Sequence, residues 1–348
     1  MSDRTGGLVH TRKWIRLGIV ALAAAACGGG SGADAKSPVG AKKPLTIAVI
    51  PKGTTHEFWK SIHAGAIQAT QELAQQGDTV SIIWKGPLRE DDREQQVQVV
   101  EGFLSQGVQG IVLAPLDSRA LVRPVEEAKG AGIPTVIIDS GLQSDVMVSF
   151  VATDNRKGGA LAAQRMGEVL GGKGKVLMLR YQEGSASTTE REKGFSDKMK
   201  SAYPGITLVS SDQYAGATRE TAKRTSENLL NRYGNELAGI FTPNESSTDG
   251  MLLALQDIAK AGKIRIVGFD ASKSLLDAMR AKQLDGVAVQ NPMKMGYLGV
   301  KTMVAHLKGQ PVEKRIDTGV SLVTPENMDE PASKELTNPP VARYLSEQ

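Results

Sequence analysis

One block of this sequence occurs twice. Gly110-Ile-Val-Leu-Ala-Pro-Leu-Asp117-Ser runs through a helical stretch to Gly132 and on to "TVIID", ending at Asp139. Gly239-Ile-Phe-Thr-Pro-Asn244-Glu-Ser runs through a helical stretch to Gly262 and on to "IRIVGFD", ending at Asp270. Glycine to aspartate is 29 residues in one copy and 31 in the other. Each copy has a polar residue just past a proline and an aspartate at a strand's C-terminal end. A repeated strand–helix–strand unit predicts two lobes of like topology, each a parallel sheet covered by helices.

The flanking sequence continues the alternation. "LTIAVI" (45–50) is a short apolar run of the kind that makes a buried strand. Residues 57–77 place Phe58, Ile62, Ala66 and Leu73 at helical spacing, and Gly77 ends that helix. "TVSIIW" (79–84) is the next strand. Residues 90–107 predict a helix with acids in its first turn, where they complement the helix dipole. "ALVRPVEEAKGAG" predicts a helix interrupted early by Pro124. A second run begins at "GKVLMLR" (174–180). If the strand ends of both lobes face one another, Asp117, Asp139, Arg191, Asn244 and Asp270 gather around one cleft, because α/β sheets bind ligands at the carboxyl ends of their strands.

The N-terminus predicts an export signal. Arg4, Arg12, Lys13 and Arg16 stand against one acid, Asp3, and the apolar run "LGIVALAAAA" (17–26) is too short to span a bilayer. "AAAAC-GGG" is similar to a bacterial lipoprotein signal with Cys27 as the lipidated first residue, although Ala24 stands where such signals carry Leu. An ordinary A-x-A cleavage beside an incidental cysteine is the other reading. Residues 28–44 predict a flexible tether. Of the 42 Lys and Arg and 38 Asp and Glu, four and one respectively lie in residues 1–27, so the remainder carries +1. That balance gives no electrostatic case for nucleic acid. Cys27 is the only cysteine, which excludes a disulfide framework and a cysteine metal site.

Signs of catalysis are missing. The four histidines (10, 56, 63 and 306) include no pair at metal-ligand spacing, and no G-x-S-x-G, H-E-x-x-H or Walker loop is present. "LGGKGKV" (170–176) precedes a strand, whereas a dinucleotide fold needs its glycines after one. The expectation is no enzyme, no cofactor and no metal.

A neutral polyol suits the residues better. Carboxylates accept hydrogen bonds from hydroxyls, an arginine fork donates, Asn and Gln do both, and an aromatic ring covers a C–H face. The chain offers Lys52, His56, Phe58 and Trp59 after the first strand, then Asp117, Arg191, Asn244, Asp270 and Gln290. Each has a structural reading beside it. Phe58 and Trp59 are adjacent on a helix, so at least one belongs to the core. Asp139 caps the next helix or serves the cleft. Arg191 and Asp270 pair with each other or with ligand. His56 is a surface residue or a contact, and Thr153 in "TDNRKGG" (153–159) is a contact or belongs to a hinge and helix start.

The segments "IAVIPKGTTHEFW", "GIVLAPLDSRAL", "VATDNRKGG", "SASTTEREKGF", "IFTPNESSTDG", "VGFDAS" and "VAVQNPMKMGYLGV" are specific in this order. From about 45 to 326 the chain resembles the bacterial type I periplasmic sugar-binding proteins, the ribose-, arabinose- and galactose-binding components of ABC importers. The resemblance implies two α/β lobes joined by a three-strand hinge and closing on a monosaccharide. The lobes would comprise 45–152 plus 291–317 and 153–290 plus 318–330, with crossings near 150–154, 288–292 and 316–321. The tail, 331–348, contains a proline pair that predicts an extended strap with a short end.

By the same resemblance the family's aromatic pair falls on Phe58 and Trp59. Its aspartates fall on Asp117 and Asp270, its asparagine on Asn244, its glutamine on Gln290 and its sugar-binding arginine on Arg191. Lys52 matches the lysine of the arabinose-binding branch, and Tyr214 stands for a C-lobe aromatic. Departures include "WKGPLRED" (84–91), whose Trp84, Lys85 and Arg89 could line the cleft, and His56-Glu57 where ribose binders have a single proline. The implied role is capture of a sugar or polyol in the periplasm or cell envelope, as a monomer anchored through Cys27, and delivery to a permease with its ATPase. A sugar sensor for a chemoreceptor or kinase, and a secreted α/β enzyme acting on a sugar, are alternatives. A residue serving an open cleft supports little core, so Arg191→Ala is expected to leave folding intact.

Overall fold

The computed structural model describes residues 44–346; the stretches expected to be a signal and a tether, with Cys27, lie outside them. The first lobe opens with β1 (Leu45–Ile50), α1 (Glu57–Gln75), β2 (Val80–Trp84), α2 (Arg93–Gln106), β3 (Gly110–Leu113), α3 (Val122–Gly130), β4 (Thr135–Ile138) and β5 (Ser149–Ala152). The second lobe starts with α4 (Asn155–Val169), β6 (Lys173–Met178), α5 (Ala186–Ala202), β7 (Gly205–Ser210) and α6 (Arg219–Tyr233). It continues through β8 (Gly239–Phe241), α7 (Glu245–Asp257), β9 (Arg265–Phe269), α8 (Lys273–Arg280) and β10 (Gly286–Gln290). The chain then returns with α9 (Pro292–Leu307) and β11 (Arg315–Asp317), adds β12 (Val320–Val323), and ends in α10 (Pro331–Thr337) and α11 (Val341–Leu345).

Two six-stranded sheets result, ordered β11-β5-β4-β3-β1-β2 and β12-β10-β9-β8-β6-β7. Every pairing is parallel except β12 against β10. The chain passes between the sheets three times, after β5, after β10 and between β11 and β12. The repeated blocks, β3-α3-β4 and β8-α7-β9, occupy matching central places. Strands β3, β4, β8 and β10 are buried throughout. That is why they read as unbroken apolar runs instead of alternating ones: helices cover both faces.

Helix pairing within each lobe rests on glycine. A Cβ on Gly65 of α1 would lie 1.9 Å from the Met293 carbonyl oxygen, and one on Gly296 of α9 would lie 1.9 Å from that of Ile62. In the second lobe a Cβ on Gly159 of α4 would lie 1.9 Å from the Arg191 carbonyl oxygen, and one on Gly194 of α5 would lie 2.0 Å from that of Arg156. Both pairs bring backbone against backbone, and the second fixes the turn of α5 that carries Arg191.

Three local expectations change. Helix α2 begins at Arg93, because the Asp92 side chain accepts from Gln95 N–H and caps it there, leaving Glu90 and Asp91 ahead of the helix. Pro124 does not interrupt α3; it sits in the first turn, where a missing N–H costs no bond. The tail is helical, with Pro331 opening α10 and the Pro339-Pro340 pair separating it from α11. Leu336 packs against the second lobe's core, while Tyr344, Val341 and Leu345 pack with Ala64 and Ile67 of α1. The tail therefore fastens to both lobes. Truncation after Glu330 is expected to lower the unfolding free energy by a few kcal/mol, since one fully buried large apolar side chain contributes about 1.5–3 kcal/mol. Urea unfolding checks this, and an unchanged midpoint would show the tail to be passive.

Candidate functional site

Asp139 and Asp270 end equivalent strands in equivalent conformations. Both take positive φ, 59° and 67°. Asp139 N–H donates to Val151 O at 3.1 Å and Asp270 N–H to Ala288 O at 2.8 Å. Left-handed backbone at a non-glycine residue costs of order 1–3 kcal/mol and clusters at functional sites. Both carboxylates line one buried cavity between the lobes.

The first lobe brings Lys52, His56, Phe58, Trp59, Glu90 and Asp139 to this cavity. The second brings Tyr181, Ser187, Thr188, Arg191, Asn244, Glu245, Asp270 and Gln290. The lobes are drawn close: about 20 Å³ is free between these side chains, room for about one water molecule. A molecule larger than water enters only if the lobes part.

Polar contacts cross the gap throughout. Lys52 Nζ lies 2.8 Å from Asp139 Oδ2, an ion pair without good hydrogen-bond angles, and donates to Ser187 Oγ of the other lobe at 3.2 Å. Glu90 is a hub. Its carboxylate accepts from Trp59 Nε1 at 2.8 Å, from His56 Nδ1 at 2.6 Å and from the Tyr181 hydroxyl at 2.7 Å. Burial alone would raise the Glu90 pKa, but His56, Lys52 and Trp59 outweigh it and hold the carboxyl down at about 2. For His56, burial favours the neutral ring; the Glu90 carboxylate, helped by Glu245 and Asp270, prevails and raises it to about 9.

Helix termini are capped across the gap as well. The α1 N-cap residue, His56, makes no side-chain cap bond. Glu245 supplies it from the other lobe, accepting from the N–H groups of Glu57 at 3.3 Å and Phe58 at 3.1 Å. Glu57 reciprocates by accepting from Lys273 N–H at the start of α8, at 3.3 Å. Orphan N–H groups and the positive end of each helix are thus satisfied by the opposite lobe's acid. Burial raises Glu245 to about 7 against the opposing pull of His56. A carboxyl raised in the folded state contributes stability that is present below about pH 4.5 and lost as pH rises through 7. Glu245→Gln should flatten the fall in melting temperature between pH 5 and 7. A melting series that keeps the wild-type slope would remove Glu245 as its source.

Arg191 lies in α5 and is 2% exposed. Its Nε donates to Asn155 Oδ1 at 2.8 Å and its Nη1 to Pro243 O at 2.9 Å. Nη1 is 3.8 Å from Asp270 Oδ2, and the guanidinium lies 4.0 Å over the Phe269 ring. Its Nη2 has no partner. Gln290 Nε2 donates to Asp270 Oδ1 at 2.7 Å, and Gln290 Oε1 also has no partner. Asp270 is pushed up by burial, against the pull of Arg191 and Gln290. Asn244 caps α7, accepting from Ser247 N–H, and its Nδ2 donates to Ser246 Oγ at 3.1 Å.

Five expected contacts lie elsewhere. Asp117 Oδ1 accepts from the N–H groups of Arg119 and Ala120, and its Oδ2 is 3.3 Å from Arg93 Nε. It packs on Gly184 away from the cavity, and Asp139 fills the place expected of it. Trp84 stacks on His63 with ring centroids 4.4 Å apart and joins the first lobe's core. Arg89 is exposed and pairs with Asp91 at the rim. Thr153 bonds to Thr318 and Gly319 O, tying two crossing segments together. Tyr214 is partly exposed beneath the Arg180 guanidinium, 4.5 Å from it.

Glu90, Tyr181, Ser187, Thr188 and Glu245 went unnoticed in the sequence. Glu90 reads as a solvated first-turn acid until Asp92 is known to cap the helix. Tyr181, Ser187 and Thr188 belong to the strand-to-helix stretch around Arg191, and Glu245 follows Asn244 directly, so position alone could have found these four. Among the described residues, no group of three or more His, Cys, Asp or Glu could hold a metal ion, and no helix is long and apolar enough to cross a membrane.

Two like α/β lobes, crossed three times by the chain and enclosing a buried polar cavity at their strand ends, define a two-lobed binding protein of the type I periplasmic fold. The periplasmic binding protein domain model matches residues 47–311, and the chain belongs to that family. The ribose import binding protein RbsB of Bacillus subtilis is 30% identical over 286 residues, 82% of this chain and 89% of that protein. A carbohydrate transporter solute-binding protein from Agrobacterium radiobacter, solved with D-arabinose, superposes with a TM-score of 0.80 at 32% identity, covering 85% of this chain and 99% of that one. An ABC transporter solute-binding protein from Agrobacterium vitis, solved with D-fucose, gives 0.79 at 36% identity, covering 84% and 99%.

Proposed function

We propose that this chain is the extracytoplasmic binding component of an ABC importer, capturing a monosaccharide or sugar-like polyol and delivering it to a permease without chemical change. The observation that carries this reading is the pair of unpartnered buried atoms, the donor Arg191 Nη2 and the acceptor Gln290 Oε1, on residues lining one interlobe cavity. Buried polar atoms without partners are costly, and a hydroxyl donates and accepts at once, so a polyol answers both. Lys52, Asp139 and Asp270 add further polar partners, and Phe58 and Trp59 offer ring surface. Relatives named for ribose, allose and xylitol, and neighbours solved with arabinose and fucose, support the same ligand class. Closure is a hinge motion in which ligand favours the form that makes all its contacts. Export to the periplasm, lipidation at Cys27 and a monomeric state complete the proposal.

Titration calorimetry against D-ribose, D-allose, D-arabinose, D-fucose and xylitol tests it, with small-angle scattering before and after saturation. Binding with a smaller radius of gyration is the expected result. No heat with any of the five would count against the ligand class, and turnover of a bound sugar would make the protein an enzyme.

A further inference from the structure

Beyond the three passages between the sheets, the tail crosses between the lobes once more. α10 sits on the second lobe, where Leu336 packs against the core and Ser333 is buried. α11 sits on the first, where Tyr344 is buried with Ala64 and Ile67 of α1, and Val341 and Leu345 pack beside it. Asn338, Pro339 and Pro340 link the two helices. This short link is not drawn out. Asn338 and Pro340 have ψ of 58° and 53°, well short of the roughly 115–145° of an extended chain, and Val341 N–H donates to Pro339 O at 2.7 Å. Asn338 and Pro339 border one cavity with Glu57 and Lys60 of the first lobe, Ala271 of the second and Pro292 at the β10–α9 crossing. The link thus runs beside the hinge and beside the two banks of the gap, where Glu57 accepts from Lys273 N–H.

We propose, on the basis of the hinge closure above, that the tail is a strap whose length limits how far the lobes part and so favours the closed form. Thr337 ends α10 and Val341 begins α11, four residues on. Their Cα atoms can separate by at most roughly 14 Å when the link is drawn straight. Opening within that reach only straightens the link, because the φ that proline fixes at two of its three positions also suits an extended chain. Wider opening needs α11 to leave α1, or Leu336 to leave the second lobe's core. Either step returns buried apolar surface to water. The strap thereby removes the widest states from the open ensemble. That raises the closed fraction, and apparent affinity rises with it.

Lengthening the link tests the strap without removing either helix. Eight alternating Gly and Ser residues inserted between Asn338 and Pro339 add slack; the same eight appended after Gln348 control for added mass. Small-angle scattering on ligand-free protein should give the insertion variant a larger radius of gyration than the appended control, at a similar melting temperature. Truncation after Asn338, which removes α11, should enlarge the radius as well, with a lower melting temperature. Equal radii for insertion and control would overturn the strap. Enlargement in the truncation alone would overturn it too, since the tail would then act through its packing and not its length. Calorimetry adds a second reading: any of the five compounds above that binds the control should bind the insertion variant severalfold more weakly. Equal affinity at equal radius would remove the strap and leave the sugar-binding reading standing. Absence of binding by all five would remove the sugar-binding reading, while the comparison of radii still decides the strap.

Discussion

Arg191→Ala is expected to abolish ligand binding and also to lower the melting temperature of the ligand-free protein. The guanidinium is buried, donates to Asn155 and to the Pro243 carbonyl, and lies across the Phe269 ring. Those contacts hold the second lobe together whether or not ligand is present. Hydrogen bonds to a charged group contribute about 1.5–3 kcal/mol each, and removing one member of a buried charged pair costs about 3–5 kcal/mol because its partner is stranded. Asp270 would be that partner, at 3.8 Å. Loss of the free Nη2 donor adds at least about tenfold in affinity for every 1.4 kcal/mol. Arg191→Lys should recover little of either, since a point charge cannot span Asn155, Pro243 and a ligand together. Calorimetry and melting on both variants separate the two effects. Lost affinity at an unchanged melting temperature would mean that the buried contacts add nothing to the lobe. A lowered melting temperature at full affinity would remove Arg191 from the ligand site.

The sequence made Arg191 look like a cleft residue with little structural work, because a strand-to-helix stretch rich in Ser and Thr resembles a loop. The helix in fact starts at Ala186 and packs through Gly194 against α4, so Arg191 is buried on a helix face. Architecture was legible for a plain reason: the repeated Gly-to-Asp block imposes one topology twice, and apolar runs of strand length between helices leave few other folds. Positions at strand ends were legible too, and Asp139 and Asp270 proved equivalent down to their left-handed backbone. Side-chain direction was not. Asp117 and Asp139 both follow strands of the first lobe, Asp117 in the loop after β3 and Asp139 directly after β4, yet Asp117 turns to cap its own loop while Asp139 meets Lys52. Nothing in the local sequence separates those outcomes, because the choice depends on packing against Gly184 from the other lobe. Glu90 and Glu245 were hidden for the same reason. An acid at a helix start reads as solvated until a second lobe closes over it.

Glu90→Gln is therefore the substitution with the largest consequence that the sequence alone would not suggest. Its carboxylate carries the only negative charge within hydrogen-bond reach of His56 among the described residues. The amide keeps the volume and can still accept from Trp59 or Tyr181, but it removes the counter-charge of His56. At low pH a buried imidazolium is left unpaired, at a cost of about 3–5 kcal/mol for a broken buried pair, and at higher pH the ring neutralises and the ion pair is lost. Linkage gives the pH dependence its sign. His56 is raised to about 9 when folded, so its contribution is complete below about pH 6.5 and is lost as pH rises through 9. Glu90 is depressed to about 2, so its contribution is complete above about pH 4.5 and is lost as pH falls through 2. The wild-type protein should thus be most stable between those limits as far as this pair is concerned, and Glu90→Gln should lose that maximum. The ring itself reports the change. In the variant, burial is no longer overcome by Glu90, and the His56 proton resonances should titrate several units lower. His63, which burial holds at about 4 beside the Trp84 ring, supplies an internal control that should not move. A His56 titration still near 9 in Glu90→Gln would mean that Glu245 and Asp270 hold the charge in place, and the hub would then lie in the second lobe.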